Sequence, residues 1–409
     1  MKTFFTICCV LISAISLATT LQVGSSQYYK TLTSAIAAAS HGDTILVHAG
    51  TYREKNIVIQ KTIILKGINF PILDGEKKYQ VMSVHADGVI IEGFRIANSG
   101  ISSMNDPSGI KVSDSRDVII RNNKLENTFF GIYMENVLNC TIENNQLTAF
   151  AVEEQQSGNG IHCWKSDSMR IIGNSITGHR DGIYFEFVKN SIIWRNSSQK
   201  NMRYGLHFMF SNDDSYISNI FSNNGSGVSV MYSNRINMFN NYFEENWGDA
   251  SHGILLKEIS DGYMQGNHFS RNTSGIYMEG VNRVFMTRNT FENNGWALKI
   301  QASCVDVELE RNNFIGNTFD VGTNGSLVQN RFNNNYWDKY EGYDLNKDST
   351  GDVPYRPVSM YSMIVEKYPS AMIMFRSFIT ALLDKTEKII PSLTPENLKD
   401  NSPLMKKAF

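Results

Sequence analysis

Proline is scarce in this chain, eight in 409 residues against thirty glycines and a wealth of asparagine, so its many turns must rest on Gly and Asn. Cysteine is scarcer still. Cys8 and Cys9 lie in the first apolar run, and Cys140, Cys163 and Cys304 do not make a disulfide framework; the repeat register puts Cys140 and Cys163 on inward positions of different strands, as small core residues. Neither sign of charge dominates. A net charge of −2 withholds the basic footprint that a nucleic-acid partner requires. Apolar runs long enough to cross a bilayer are also missing: Phe4 to Leu17 is too short, and residues 363–390 are interrupted by Arg376, Asp384, Lys385 and Glu387. With Met1 and Lys2 ahead of it and the small residues Ala14, Ser16 and Ala18 at its end, the first run reads as a cleaved secretory signal over residues 1–20. The mature protein is therefore expected outside the cytoplasm.

What the chain has is a repeat. Gly followed by an aliphatic residue recurs at Gly109, Gly131, Gly160, Gly182, Gly205, Gly227, Gly253 and Gly275, in steps of 22, 29, 22, 23, 22, 26 and 22. A second marker, Asn123, Asn145, Asn174, Asn196, Asn219, Asn241, Asn267, Asn289 and Asn312, keeps the same irregular time. A period in this range with strand-like alternation and no helical pattern means a solenoid, each unit one turn of a right-handed parallel β-helix. The Asn residues are expected at corners, where left-handed backbone is needed and amides can stack from coil to coil. The domain reading is a signal at 1–20, a β-helix over 21–335 and a C-terminal extension over 336–409. Residues 31–40, with Leu32, Ile36 and Ala39 on one helical face, read as a cap over the first coil.

Alternation sorts each strand into two faces. Ile132, Ile161, Ile183, Leu206, Val228, Ile254 and Ile276 form one apolar inward column. The outward columns are Tyr133, His162, Tyr184, His207, Ser229, Leu255, Tyr277 and Glu135, Trp164, Glu186, Met209, Met231, Lys257, Glu279. His207 and Met209 share a face two residues apart, and Met231 lies one coil beyond Met209. An imidazole with two thioethers is a ligand set for Cu(I), a soft ion. The same side chains also suit a protein-docking surface or incidental exposure, since Met is a common filler. His162 and Trp164 fit docking better than ligation.

Several stretches resemble a known family. RYGLHFMFSND (203–213) within the run 181–233, GILLKEISD (253–261), the tail 335–362 and PLM (403–405) are similar to NosD, the periplasmic maturation protein of nitrous oxide reductase, over nearly the whole mature chain. The resemblance implies a secreted β-helix that works with an inner-membrane ABC transporter, its permease and ATPase together. It also implies that a copper carrier and the reductase, whose copper-sulfur centres are being assembled, are further partners.

Past Asn335 the repeat stops. Asp344, Asn346, Asp348 and Asp352 alternate as calcium-loop oxygens do, but Tyr355 stands where the closing Glu belongs, so calcium and an ordinary acidic turn both fit. Residues 363–390 carry apolar side chains at helical spacing between Pro369 and Pro391, an amphipathic helix whose Phe375, Phe378, Leu382 and Leu383 are assigned to partner docking. Residues 395–409 read as an extended tail. The competing class is a carbohydrate lyase, epimerase or hydrolase, for which this fold is a frequent host. Its best carboxylate pair, Glu135 and Glu186, lies two coils apart, about 9.6 Å at strand spacing, the wide limit for an inverting hydrolase, with no Lys or Arg in register. The reading chosen is a non-enzymatic assembly factor.

Overall fold

The structure is a computed structural model, and it describes residues 18–102, 106–325, 329–390, 394 and 398–409. Most of the expected signal lies outside the described residues. The first strand, Thr20–Val23, already begins on the last residue assigned to that signal, and the Thr19 N–H donates to the Asp43 carboxylate at 2.7 Å. From there the chain winds as a parallel β-helix. Each coil gives one strand to each of three parallel sheets, of fourteen, twelve and thirteen strands among the described residues.

Glycine marks the coils because the backbones approach closely. A Cβ on Gly205 would stand 2.7 Å from the carbonyl oxygen of Gly227, and one on Gly160 2.6 Å from that of Gly182. The Asn marker has a different cause from the one expected. Asn123 to Asn312 do not take up left-handed backbone; that conformation falls on the residue before, as at Asn122, Asn144, Arg195 and Ser218. The ladder asparagines are instead buried, and each passes its amide forward. Asn196 donates its backbone N–H (2.9 Å) and its Nδ2 (3.0 Å) to Asn219 Oδ1, and Asn219 does the same to Asn241. A second ladder, five residues further along each coil, joins Asn201, Asn224, Asn246, Asn272, Asn294 and Asn317. Inside, Phe221, Phe243, Phe269, Phe291, Phe314 and Trp337 stack ring on ring with centroids 4.0–5.5 Å apart. Cys140, Cys163 and Cys304 are buried free thiols.

Helix α1 (Leu32–Ala38) covers the first coil with Leu32, Ala35 and Ile36. Its ends are capped from a distance: the Glu54 carboxylate accepts from the N–H groups of Leu32 and Thr33, and Lys61 donates to the carbonyls of Ile36, Ala37 and Ala39.

The far end differs from the sequence expectation. Residues 363–390 are not one helix but α2 (Met360–Lys367), a 3-10 turn (Pro369–Met374) and α3 (Phe378–Ile389), broken by Pro369 and by left-handed Arg376. Tyr361 and Val365 of α2 pack on Trp296 and Phe319 of the last coils, and Lys299 pairs with Glu366 at 2.8 Å. The tail does more than extend. Asp400 enters as the last rung of the first ladder: its Oδ2 accepts from Asn335 N (2.9 Å), Asn335 Nδ2 (3.1 Å) and Trp337 Nε1 (3.1 Å). Leu404 then bridges to Tyr336 in parallel. No helix among the described residues is long and apolar enough to cross a membrane.

Candidate functional site

The two outward columns read from parity pair in register across the twelve-stranded sheet, from Tyr133 to Tyr277 and from Glu135 to Glu279. His207 belongs to the strand Tyr204–Met209 and alternates with the core residues Leu206 and Phe208. It points away from the interior, yet it is only 6% exposed. Outward and exposed are not the same here, because bulky neighbours close over the wall. The ring lies between Tyr184 and Tyr204, at centroid distances of 5.0 and 4.8 Å. Asp181, fully buried, sets its Oδ2 3.6 Å from His207 Nδ1. Neither ring nitrogen of His207 has a hydrogen-bond partner among the described residues.

Met209 and Met231 are register partners and half-buried. The Tyr184 hydroxyl reaches the Met209 sulfur at 3.7 Å and Glu186 Oε2 at 3.4 Å. The structure thus brings an imidazole and two thioethers to one stretch of wall, a donor set whose softness suits Cu(I). Beside them the residues that follow, Phe210 and Tyr232, continue with Phe187 as a ridge of stacked, exposed rings. All three hold left-handed backbone, where Asn136 serves in an earlier coil, so aromatic side chains are placed there against local preference. The ridge escaped the sequence reading, although an aromatic at every third position after the Gly-aliphatic marker's strand would have exposed it.

His162 sits in the same column within a row of rings, 4.5 Å from Tyr133 and 4.8 Å from Tyr184. Burial, with help from the Arg180 charge, pushes its pKa down to about 3. Asn159 Nδ2 lies 3.0 Å from its Nδ1. Trp164 packs on the cluster of Phe129, Phe130 and Tyr133, under the Lys165 ammonium at 4.2 Å. Glu135 and Glu186 do flank Trp164, but Glu135 has a cation after all: Lys111, one coil before and two residues earlier along its strand, pairs with it at 2.8 Å.

The acidic loop uses its oxygens on its own backbone. Asp344 accepts from the N–H of Asp348 and Ser349, Asn346 from Asp348, Asp348 from Thr350 and Asp352 from Leu345. The described residues contain no group of three or more His, Cys, Asp or Glu side chains placed to hold a metal ion. At the C-terminal helices Phe375, Phe378 and Leu382 are exposed, while Leu383 is partly buried against the cluster of Trp296 and Phe319. Leu383 is therefore part of the seam and not of the free face.

Fold and wall together define a class: a capped parallel β-helix that presents a band of polar, aromatic and thioether side chains along one sheet. Solved structures agree on the fold. The catalytic unit of an α-1,3-glucanase from Streptomyces thermodiastaticus aligns with a TM-score of 0.57 at 11% identity, over 73% of this chain and 63% of that one. The periplasmic alginate epimerase AlgG aligns at 0.53 and 17% identity over 66% and 77%. At such identities the likeness is one of architecture. The family model for NosD, described as a periplasmic copper-binding protein, matches residues 36–151 and 148–342, and the chain belongs to that family. Relatives from Pseudomonas aeruginosa and Stutzerimonas stutzeri, each named a probable ABC transporter binding protein NosD, are both 26% identical over 88% of this chain and cover 87% and 86% of their own lengths.

Proposed function

We propose that this protein is a periplasmic accessory factor that works with an inner-membrane ABC transporter in assembling the copper-sulfur centres of nitrous oxide reductase, and that it takes up Cu(I) as cargo at His207, Met209 and Met231. The observation that carries the copper reading is His207 itself, a buried imidazole with no hydrogen-bond partner at either nitrogen, on the same face as two adjoining thioethers. Leaving such a group unpaired costs about 1–3 kcal/mol, a cost that a bound metal removes. The soft sulfur donors favour Cu(I) over Zn²⁺ or Ca²⁺. Support for the transporter as partner comes from the names of the two relatives and from the free apolar face of α3, where Phe378 is 81% and Leu382 53% exposed. A carbohydrate enzyme is the weaker reading, because Glu135, half of its best carboxylate pair, is engaged by Lys111.

The test is a titration of Cu(I) against a competing chelator on the purified full chain. One site is expected, weakened at least tenfold in His207→Ala and in Met209→Ala. Wild-type affinity in both variants would remove the site.

A further inference from the structure

Two histidines stand in one outward column, His162 and His207, and their surroundings fix opposite tautomers. A neutral imidazole has one N–H and one lone pair, and a carboxylate can only accept. His207 Nδ1 faces Asp181 Oδ2 at 3.6 Å, so its N–H belongs on Nδ1 and its lone pair on Nε2. At His162 the order is reversed. Asn159 Oδ1 accepts from Arg180 Nη2 at 3.3 Å, which orients the amide and turns its Nδ2 towards His162 Nδ1 at 3.0 Å. His162 Nδ1 is then the acceptor, and its proton sits on Nε2.

Asp181 is built for holding a ring. It is fully buried; its Oδ1 accepts the Tyr204 N–H at 3.3 Å and lies 3.8 Å from Arg203 Nε, while Oδ2 has no hydrogen-bond partner among the described residues. In register Asp181 pairs with Tyr204, three residues before His207, whereas Met209 lies two residues after it. The carboxylate and the thioether thus approach His207 from opposite ends of its strand. A carboxylate on one ring nitrogen is the usual support of a histidine that binds metal through the other.

Resting on the copper reading above, we infer that Asp181 is the positioning residue of this site: it holds His207 as the Nδ1–H tautomer, so that Nε2 is the metal-binding nitrogen, and His162 takes no part in ligation. Removing the Asp181 charge weakens the metal through ring orientation and basicity alone, without touching a ligand.

Two measurements on the full chain test this. Cu(I) competition with Asp181→Asn should show affinity reduced about 10- to 100-fold, the usual effect of losing such a partner. NMR of the metal-free protein with ¹⁵N-labelled histidine should show Nδ1–H at His207 and Nε2–H at His162; in Asp181→Ala the His207 signature should change while that of His162 stays, which also shows that the coil is folded. Unchanged Cu(I) affinity in Asp181→Asn alongside loss in His207→Ala overturns the role of Asp181 and leaves the copper reading standing. Unchanged affinity in His207→Ala overturns the copper reading, and Nε2–H at His207 in the wild type overturns the tautomer assignment whatever binds.

Discussion

A single rung of the Asn ladder shows how much one buried amide carries. Asn219 Oδ1 accepts two hydrogen bonds from Asn196, and its Nδ2 donates to Asn241 Oδ1 and to the Ile193 carbonyl. Asn219→Ala leaves the Asn196 donors and the Ile193 carbonyl buried without partners, at about 1–3 kcal/mol for each such group. A loss of roughly 3 kcal/mol is expected from urea unfolding, against less than about 0.5 kcal/mol for an exposed control such as Lys347→Ala. Asp214 makes the opposite case. Its Oδ1 accepts the Ser191 N–H, but Oδ2 has no partner, and burial raises its pKa to about 8. A raised acid favours folding below the unfolded value near 3.8, and that contribution is lost as pH rises towards 8. Asp214→Asn should therefore melt higher than wild type at pH 8 and the gain should shrink towards pH 4; a constant offset would mean that Asp214 does not titrate in this window. Neither partnership was readable in the sequence. Parity says which face a side chain takes, and so placed His207 outward, but it does not say that Asp181, from the neighbouring coil, comes to lie against it. The second ladder was legible, since Asn recurs five residues after the first marker from Asn201 to Asn317.

Among the elements, the C-terminal helices divide into a packed part and a free part. The hydrophobic spacing of residues 363–390 was visible, and what it did not reveal is that Pro369 and left-handed Arg376 break it into pieces that fold back on one another. Glu387 accepts the Met360 N–H at 2.8 Å and so ties α3 to the start of α2, while Tyr361 and Val365 anchor α2 on the last coils. Apolar periodicity alone cannot distinguish a face that packs on its own chain from one that waits for a partner. The exposed Phe378 and Leu382 belong to the second kind. The double variant Phe378→Glu, Leu382→Glu should keep the wild-type melting temperature and lose co-purification with the transporter. Retained co-purification moves the docking face elsewhere, and a lowered melting temperature means that these side chains serve the fold.

For the whole molecule, the question is what keeps a stack of coils from growing or fraying. A solenoid is stable through contacts between neighbours, so its open ends expose both apolar core and unpaired strand edges. Here α1 closes the beginning, and at the other end the chain returns after some sixty residues to put Asp400 on Asn335. The periodicity announced the stack, but it held no sign of this return, because Asp400 is remote in sequence and belongs to no repeat. A carboxylate is an apt last rung: it accepts from three buried donors and needs to donate nothing onward. Asp400→Ala should then cost about 3 kcal/mol or more, whereas Asp400→Asn, which keeps an acceptor oxygen in place, should recover much of the loss. Thermal melts of the two variants, with size-exclusion chromatography to detect association through the uncovered end, decide the matter. If both variants melt and elute as wild type does, the last coil is closed by α2 and its neighbours alone, and the tail is free to move without opening the ladder.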